Sequence, residues 1–213
     1  MNKLLIATNN KGKVKEIRAL LDDLQIELVT PADIHLNILV VEDGKTYGEN
    51  AAKKAAAFMR ASGLVSLADD SGLEVDALDG APGLFSARYG SPLSLPPFSR
   101  KMGGEKEGLT DADRRVYLLK NLRYKPHPWR ARFRATIAIA ISENDIQLTE
   151  GECKGEIIAE ERGTGGFGYD PIFFIPEANR TMAELEMEEK NRLSHRAQAI
   201  LNAKPILSRI FDR

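Results

Sequence analysis

The stretch RARFRATIAIAIS, residues 130–142, constrains the fold more than any other part of the chain. Apolar side chains alternate at Phe133, Ala135, Ile137, Ile139 and Ile141, which is the period of a β-strand. Its inner part, ATIAIAIS, is apolar enough for a strand buried in a sheet and too short to cross a membrane. The chain must therefore cover a central strand with other elements, and the sequence around it supplies them.

KLLIAT reads as a buried first strand that runs through NNKGK into a helix. The stripe of that helix is Val14, Ile17, Leu21 and Leu24. ELVTP is a short second strand stopped by Pro31. TYGENAAKKAAAFMRASG is a helix opened by a capping box of Thr46 and Glu49 and closed by Gly63. LVSLADDSGLEVDAL reads as two strands around a tight turn, and DADRRVYLLKNL as a helix. A further strand pair is expected at about 146–160, a helix from Thr181 with Glu184 as its capping box, and a last helix opening at SHRAQAIL. Strands and helices mix throughout, so the class is α/β with a mixed sheet. The Pro-, Ser- and Gly-rich segment at about 91–109 reads as a mobile loop.

With 213 residues there is room for one sizeable core, or for one domain with two lobes. Lys and Arg (30) nearly balance Asp and Glu (31), so the overall charge gives no reason to expect nucleic acid or an anionic membrane as partner. One cysteine and three histidines argue against a disulfide framework and a structural zinc site. The N-terminal apolar stretch is too short for a signal peptide, and a cytoplasmic protein is expected.

Four segments carry candidate chemistry. In ATNNKGK, a strand turning into a helix N-terminus presents free backbone N–H groups to an anion. Lys11 and Lys13 sit in that first turn, where the helix dipole disfavours a cation by about 0.3–1 kcal/mol unless a phosphate is bound. An asparagine cap with solvated lysines would read the same way. Asp69 and Asp70 stand side by side, and adjacent like charges raise each other's pKa unless something compensates. They fit either a turn or a magnesium site, because Mg2+ takes one or two carboxylates together with water and phosphate oxygens. Glu42 or Asp43 could add a ligand, Glu42 being favoured, whereas Glu49 is already occupied as a cap.

GTGGFGYDPIFF interleaves Phe167 and Tyr169 with four glycines, so that backbone and flat apolar faces can approach a ligand closely. Asp170 precedes a proline and is held extended. A glycine-rich hairpin with core aromatics is the plain alternative. In EEKNRLSHRAQAIL, Ser194 is an N-cap that leaves His195 and Arg196 in the first helical turn. There His195 should stay neutral, and with Lys190 and Arg196 it offers donors to the keto oxygens of a base. A solvated basic helix start is the alternative.

Taken in order, TNNKGK, EDGKTYGENAAKKA, ADDSGLEVDALDGAPGLFSARYG, GTGGFGYDPIFF and SHRAQA resemble the inosine triphosphate pyrophosphatase family over nearly the whole chain. The resemblance implies an elongated α/β fold around a long mixed sheet, with two lobes and a substrate cleft between them. It implies a homodimer that needs Mg2+ and cleaves ITP, dITP or XTP to the monophosphate and pyrophosphate. By residue, it assigns Thr8, Asn9, Asn10, Lys11, Gly12 and Lys13 to the triphosphate, and Asp70 to the general base and metal. Glu42 becomes a metal ligand and Ser71 a substrate contact. Phe167, Gly168, Tyr169 and Asp170 line the base and sugar pocket, and Lys190, His195 and Arg196 read the purine. On this reading Asp70 ends a cleft-facing strand and Asp69, on the opposite face, braces the turn. A non-catalytic nucleotide sensor that kept the pocket is the rival, and the intact set of Lys13, Glu42 and Asp70 speaks against it.

Overall fold

The computed structural model describes residues 2–91 and 109–211; most of the expected loop at 91–109 lies outside them. Among the described residues seven strands form one mixed sheet in the order β2-β1-β3-β4-β5-β6-β7. They are β1 (Lys3–Ile6), β2 (Glu27–Val29), β3 (Val65–Val75), β4 (Trp129–Ser142), β5 (Asp145–Ile157), β6 (Phe173–Ile175) and β7 (Arg180–Thr181). Among the described residues five α-helices accompany them: α1 (Lys11–Leu20), α2 (Tyr47–Ser62), α3 (Asp111–Leu122), α4 (Met187–Leu193) and α5 (His195–Phe211). Among the described residues no helix is long and apolar enough to cross a membrane.

The chain divides into two compact units. The first comprises Met1–Ser71, Phe133–Cys153 and Met187–Arg213; the second comprises Gly72–Arg132 and Lys154–Glu186. In the first unit β1, the start of β3 and the inner part of β4 are buried on both faces, and their period-two alternation sorts the core into two clusters. Leu4, Ile6, Leu67, Ile137 and Ile139 pack with α1 and α5 through Ile17, Leu20, Ile200 and Ala203. Leu5, Ala7, Ala68, Ala138 and Ala140 pack with α2 through Ala51, Ala55 and Phe58. Alanine dominates the second face because α2 itself is Ala-rich on the side it buries, so small residues meet small residues.

Strand β1 runs parallel to both β2 and β3, and Leu4, Leu5 and Ile6 stand opposite Val65, Ser66 and Leu67. The register decides the site. β1 leaves the sheet after Ile6 and turns into α1, while β3 continues past Leu67 to Asp69 and Asp70. The amide of Ala7 still donates to the carbonyl of Leu67 at 2.7 Å, so the turn 8–13 emerges beside the two aspartates.

Three local expectations are corrected. Residues 65–75 form one continuous strand, not two strands around a turn, so Asp69 and Asp70 lie in mid-strand and there is no turn for Asp69 to brace. Asp, Ser and Gly favour turns when their side chains must satisfy nearby backbone; here the side chains are taken up by other elements and the backbone stays extended. Residues 145–157 are likewise one strand. The capping box at Thr181 and Glu184 is present, but it opens a three-residue 3-10 turn, and the α-helix begins at Met187.

Candidate active site

In the first unit, Asn10 caps α1, its side chain accepting from the amide of Lys13 at 3.1 Å. Thr8 supports the same turn, its hydroxyl accepting from the amide of Asn10 at 3.2 Å. Asn9, Asn10 and Lys11 are exposed, and Gly12 is half-buried. Lys13 is not a solvated lysine. Its ammonium is ion-paired with the carboxylate of Asp69 and also points at the Asp69 carbonyl, at 3.4 Å. Burial lowers the pKa of Lys13; the Asp69 carboxylate opposes that shift, while Arg196 and Lys54 add to it.

Asp69 is the centre of a buried ion cluster. It is 1% exposed. One carboxylate oxygen takes Lys13 and the hydroxyl of Ser71 (3.0 Å), and the other takes Nε of Arg196 at 2.6 Å. The Arg196 guanidinium, 2% exposed, also donates to Ser71 Oγ at 3.0 Å and is ion-paired with Glu16. Glu16, on α1, accepts from Lys190 of α4 at 2.7 Å. Two carboxylates, Asp69 and Glu16, thus hold three cations, Lys13, Lys190 and Arg196. Burial alone would raise the Asp69 pKa, but Arg196 and Lys13 outweigh it and hold the carboxyl well below its usual range.

Ser194 caps α5 as expected, accepting from the amide of Ala197 at 3.1 Å, and His195 and Arg196 occupy the first turn. The His195 ring stacks on Phe133 with centroids 4.7 Å apart and planes 13° from parallel. Burial, reinforced by the neighbouring Arg196 charge, lowers its pKa well below the ordinary value, so the imidazole is neutral at physiological pH. Its Nδ1 is buried without a hydrogen-bond partner among the described residues. This corner depends on Gly151 of β5, which sequence reasoning missed. Any side chain there would overlap the carbonyl oxygen of His195 and the amide of Ala199. No pattern in the sequence marks Gly151, because the constraint comes from a helix more than forty residues later.

Asp70 points the other way. Alternation puts Leu67, Asp69 and Ser71 toward α1 and α5, and Ala68 and Asp70 toward α2. Burial and the nearby Glu42 raise the Asp70 pKa, while Lys54, Lys13 and the nearby Asn50 side chain oppose the rise. Its Oδ1 accepts the amide of Ser71 at 3.1 Å, whereas Oδ2 is buried with no hydrogen-bond partner among the described residues. Glu42 is ion-paired with Lys54 of α2 and is half-buried, whereas Asp43 pairs at 2.6 Å with Lys53 in solvent. Glu49 is engaged by the Lys45 amide at 2.7 Å. Of the charges around Asp70, that of Glu42 pushes its pKa up.

No group of three or more His, Cys, Asp or Glu side chains among the described residues is placed to hold a metal by itself. Mg2+ needs only one or two carboxylates and completes its octahedron with water and substrate phosphate. The orphaned Oδ2 of Asp70 with Glu42 beside it fits this requirement.

In the second unit, Phe167, Gly168, Tyr169 and Asp170 form a compact loop. Asp170 Oδ2 accepts from the Phe167 amide at 2.9 Å, and the Tyr169 hydroxyl donates to the carbonyl of Ser86 at 2.9 Å. Tyr169 and Asp170 are buried and Phe167 is half-buried. Tyr169 is therefore a support of the loop, and Phe167 is the aromatic side chain left partly open to solvent.

An α/β protein that sets a capped helix N-terminus and a buried lysine beside two divergent aspartates has the elements of a site for phosphorylated ligands. Residues 4–206 match the Ham1 family. The dITP/XTP pyrophosphatase of Desulforamulus reducens is 45% identical over 98% of this chain and 97% of its own. The dITP/XTP pyrophosphatase of Geobacter sulfurreducens is 45% identical over 94% of each chain. A solved HAM1 protein from Coxiella burnetii superposes with a TM-score of 0.83 at 37% identity, covering 98% of this chain and all of that one. This chain belongs to the Ham1 family.

Proposed function

We propose that the protein hydrolyses non-standard purine nucleoside triphosphates, namely ITP, dITP and XTP, to the monophosphate and pyrophosphate. The observation that carries the reading is the split of Asp69 and Asp70 across β3, which puts a structural anion and a reactive carboxylate at one end of the phosphate-binding turn. The names of the relatives point to the same substrates.

In this reading the α1 N-terminus and Lys13 hold the triphosphate, with Thr8–Gly12 shaping the turn. Asp70, whose raised pKa makes it a better base than an ordinary carboxylate, takes a proton from the attacking water. Water oxygen bonds to the α-phosphorus, the bond to the bridging oxygen breaks, and pyrophosphate leaves. Asp70 and Glu42 would hold Mg2+, which when bound neutralises charge on the phosphates and on the leaving pyrophosphate.

Phe167 to Asp170 take the base and sugar, and Ser71, Lys190, His195 and Arg196 complete the recognition of substrate. Because Arg196 is enclosed by Asp69, Glu16 and Ser71, the neutral His195 is the better donor to a 6-keto oxygen, and Arg196 fixes its surroundings. The homodimer and the cytoplasmic location implied by the resemblance belong to this proposal.

The test is a panel of ITP, dITP, XTP, GTP and ATP with product identification. Pyrophosphate and monophosphate from the first three, far above ATP, are expected. Release of inorganic phosphate and a diphosphate would place attack at the terminal phosphorus and refute the assignment. Tight binding without turnover would favour a sensor.

A further inference from the structure

The glycine-rich loop 163–170 has four glycines in six residues, a composition that by itself gives a mobile segment. Yet in the second unit one residue of it is held through both its backbone N–H and its C=O by a single helix. The amide of Gly168 donates to Asp111 Oδ2 at 2.7 Å, and its carbonyl accepts from Arg115 Nη1 at 2.8 Å. Asp111 and Arg115 are four residues apart on α3 and so share one face of it. Arg115 is itself fixed: its Nε and Nη2 donate to the two carboxylate oxygens of Glu161 at 2.8 and 2.9 Å, just before the loop begins. The third donor group of the guanidinium goes to the loop. Gly168 has φ +64°, a backbone state that side-chain-bearing residues rarely adopt, and it turns both polar groups toward α3.

We infer that Asp111 and Arg115 are positioning residues that clamp the loop through Gly168 and so set the affinity for the nucleoside part of the substrate. The inference rests on the reading of Phe167–Asp170 as the base and sugar pocket. Neither residue touches the reacting atoms. Phe167 precedes the clamped glycine and Tyr169 follows it, and the Phe167 ring can stack on a base only if its backbone is already placed. A loop this rich in glycine loses much conformational freedom on ordering. Ordering it before the ligand arrives removes that cost from binding. The clamp therefore acts on KM, and the hydrolytic step is left to groups in the first unit.

The experiment measures KM and kcat for ITP, and inhibition by inorganic pyrophosphate, which carries neither base nor sugar. Arg115→Ala is expected to raise KM for ITP about tenfold, the loss expected for a hydrogen bond from a charged donor, with little change in kcat. Inhibition by pyrophosphate should stay as in the parent. Arg115→Lys keeps a charge opposite Glu161 but lacks the fork that serves Glu161 and Gly168 together, so a smaller rise in KM is expected from a variant less disturbed in folding. Phe167→Ala is run alongside, and the double variant should show less than the product of the single effects. A raised KM in Phe167→Ala with unchanged KM in both Arg115 variants overturns the clamp and leaves the pocket reading standing. An unchanged KM in Phe167→Ala overturns both. Weakened pyrophosphate inhibition in proportion to KM would make Arg115 a general structural residue and also overturns the clamp.

Discussion

Asp69 and Asp70 are neighbours in the chain, yet Asp69 is locked between Lys13 and Arg196 while Asp70 Oδ2 has no hydrogen-bond partner among the described residues. One strand, through its alternation, turns two identical side chains to different ends. Burial acts on both carboxyls in the same sense, and the local cations decide the outcome: Asp69 is pulled down and Asp70 stays raised.

The two should therefore fail differently. Asp69→Asn leaves Lys13 and Arg196 without their shared anion, and breaking a buried ion pair from one side costs about 3–5 kcal/mol. Asp70→Asn should keep or slightly increase stability, since burial already disfavours its charge, while losing most turnover. Denaturant midpoints and turnover of the two purified variants check this. Equal losses of stability would refute the division of labour.

Acid should weaken the fold through His195 before it reaches Asp69, while the raised Asp70 carboxyl acts in the opposite sense. His195 has its pKa lowered well below 6.5 by burial and by Arg196, so the unfolded chain binds a proton that the folded one refuses. Its stabilising contribution is complete above the unfolded value and is lost as pH falls through it toward the folded one, with a slope of at most about 1.4 kcal/mol per pH unit. Asp69, also depressed, adds its own loss only as pH falls past its unfolded value near 3.8. Stability of the parent should decline between pH 7 and 5, and His195→Phe, which preserves a flat ring against Phe133, should flatten that limb. A His195→Phe curve with the same acid limb as the parent would contradict a buried neutral His195.

Metal dependence separates Glu42 from Asp43. Chelation should abolish turnover, and Glu42→Gln should raise the Mg2+ concentration needed for half-maximal rate. Asp43→Asn should leave it unchanged, because Asp43 is exposed and pairs with Lys53 in solvent. The opposite order would assign the ligand to Asp43.

Gly151→Ala should move the start of α5 away from β5, because even a methyl overlaps the His195 carbonyl. Overpacking of this kind costs about 1–3 kcal/mol. A lowered Tm together with reduced activity on ITP is expected, and a larger side chain should do worse. If Gly151→Ala matches the parent in both, the close approach does not position His195.

Much of this protein was determined by its sequence alone, wherever the cause is local. The alternation through residues 130–142 dictated β4, side-chain oxygens at Asn10, Thr46 and Ser194 started α1, α2 and α5, and the motifs placed the chain in its family. Position on α5 also determined which turn holds His195 and Arg196. What only the tertiary structure decided is who neutralises whom. Arg196 meets Asp69 across 127 residues of chain and Glu16 across 180, and no periodicity records such a pairing. That is also why residues 69–72 looked like a turn. The residue types favour one locally, but the parallel register of β1 and β3 brings the α1 turn alongside, Lys13 and Arg196 take the Asp69 charge, and the strand can run straight through. Gly151 and the clamp on Gly168 escaped for the same reason: each is defined by the atoms of a distant segment, which exist as neighbours only once the chain has folded.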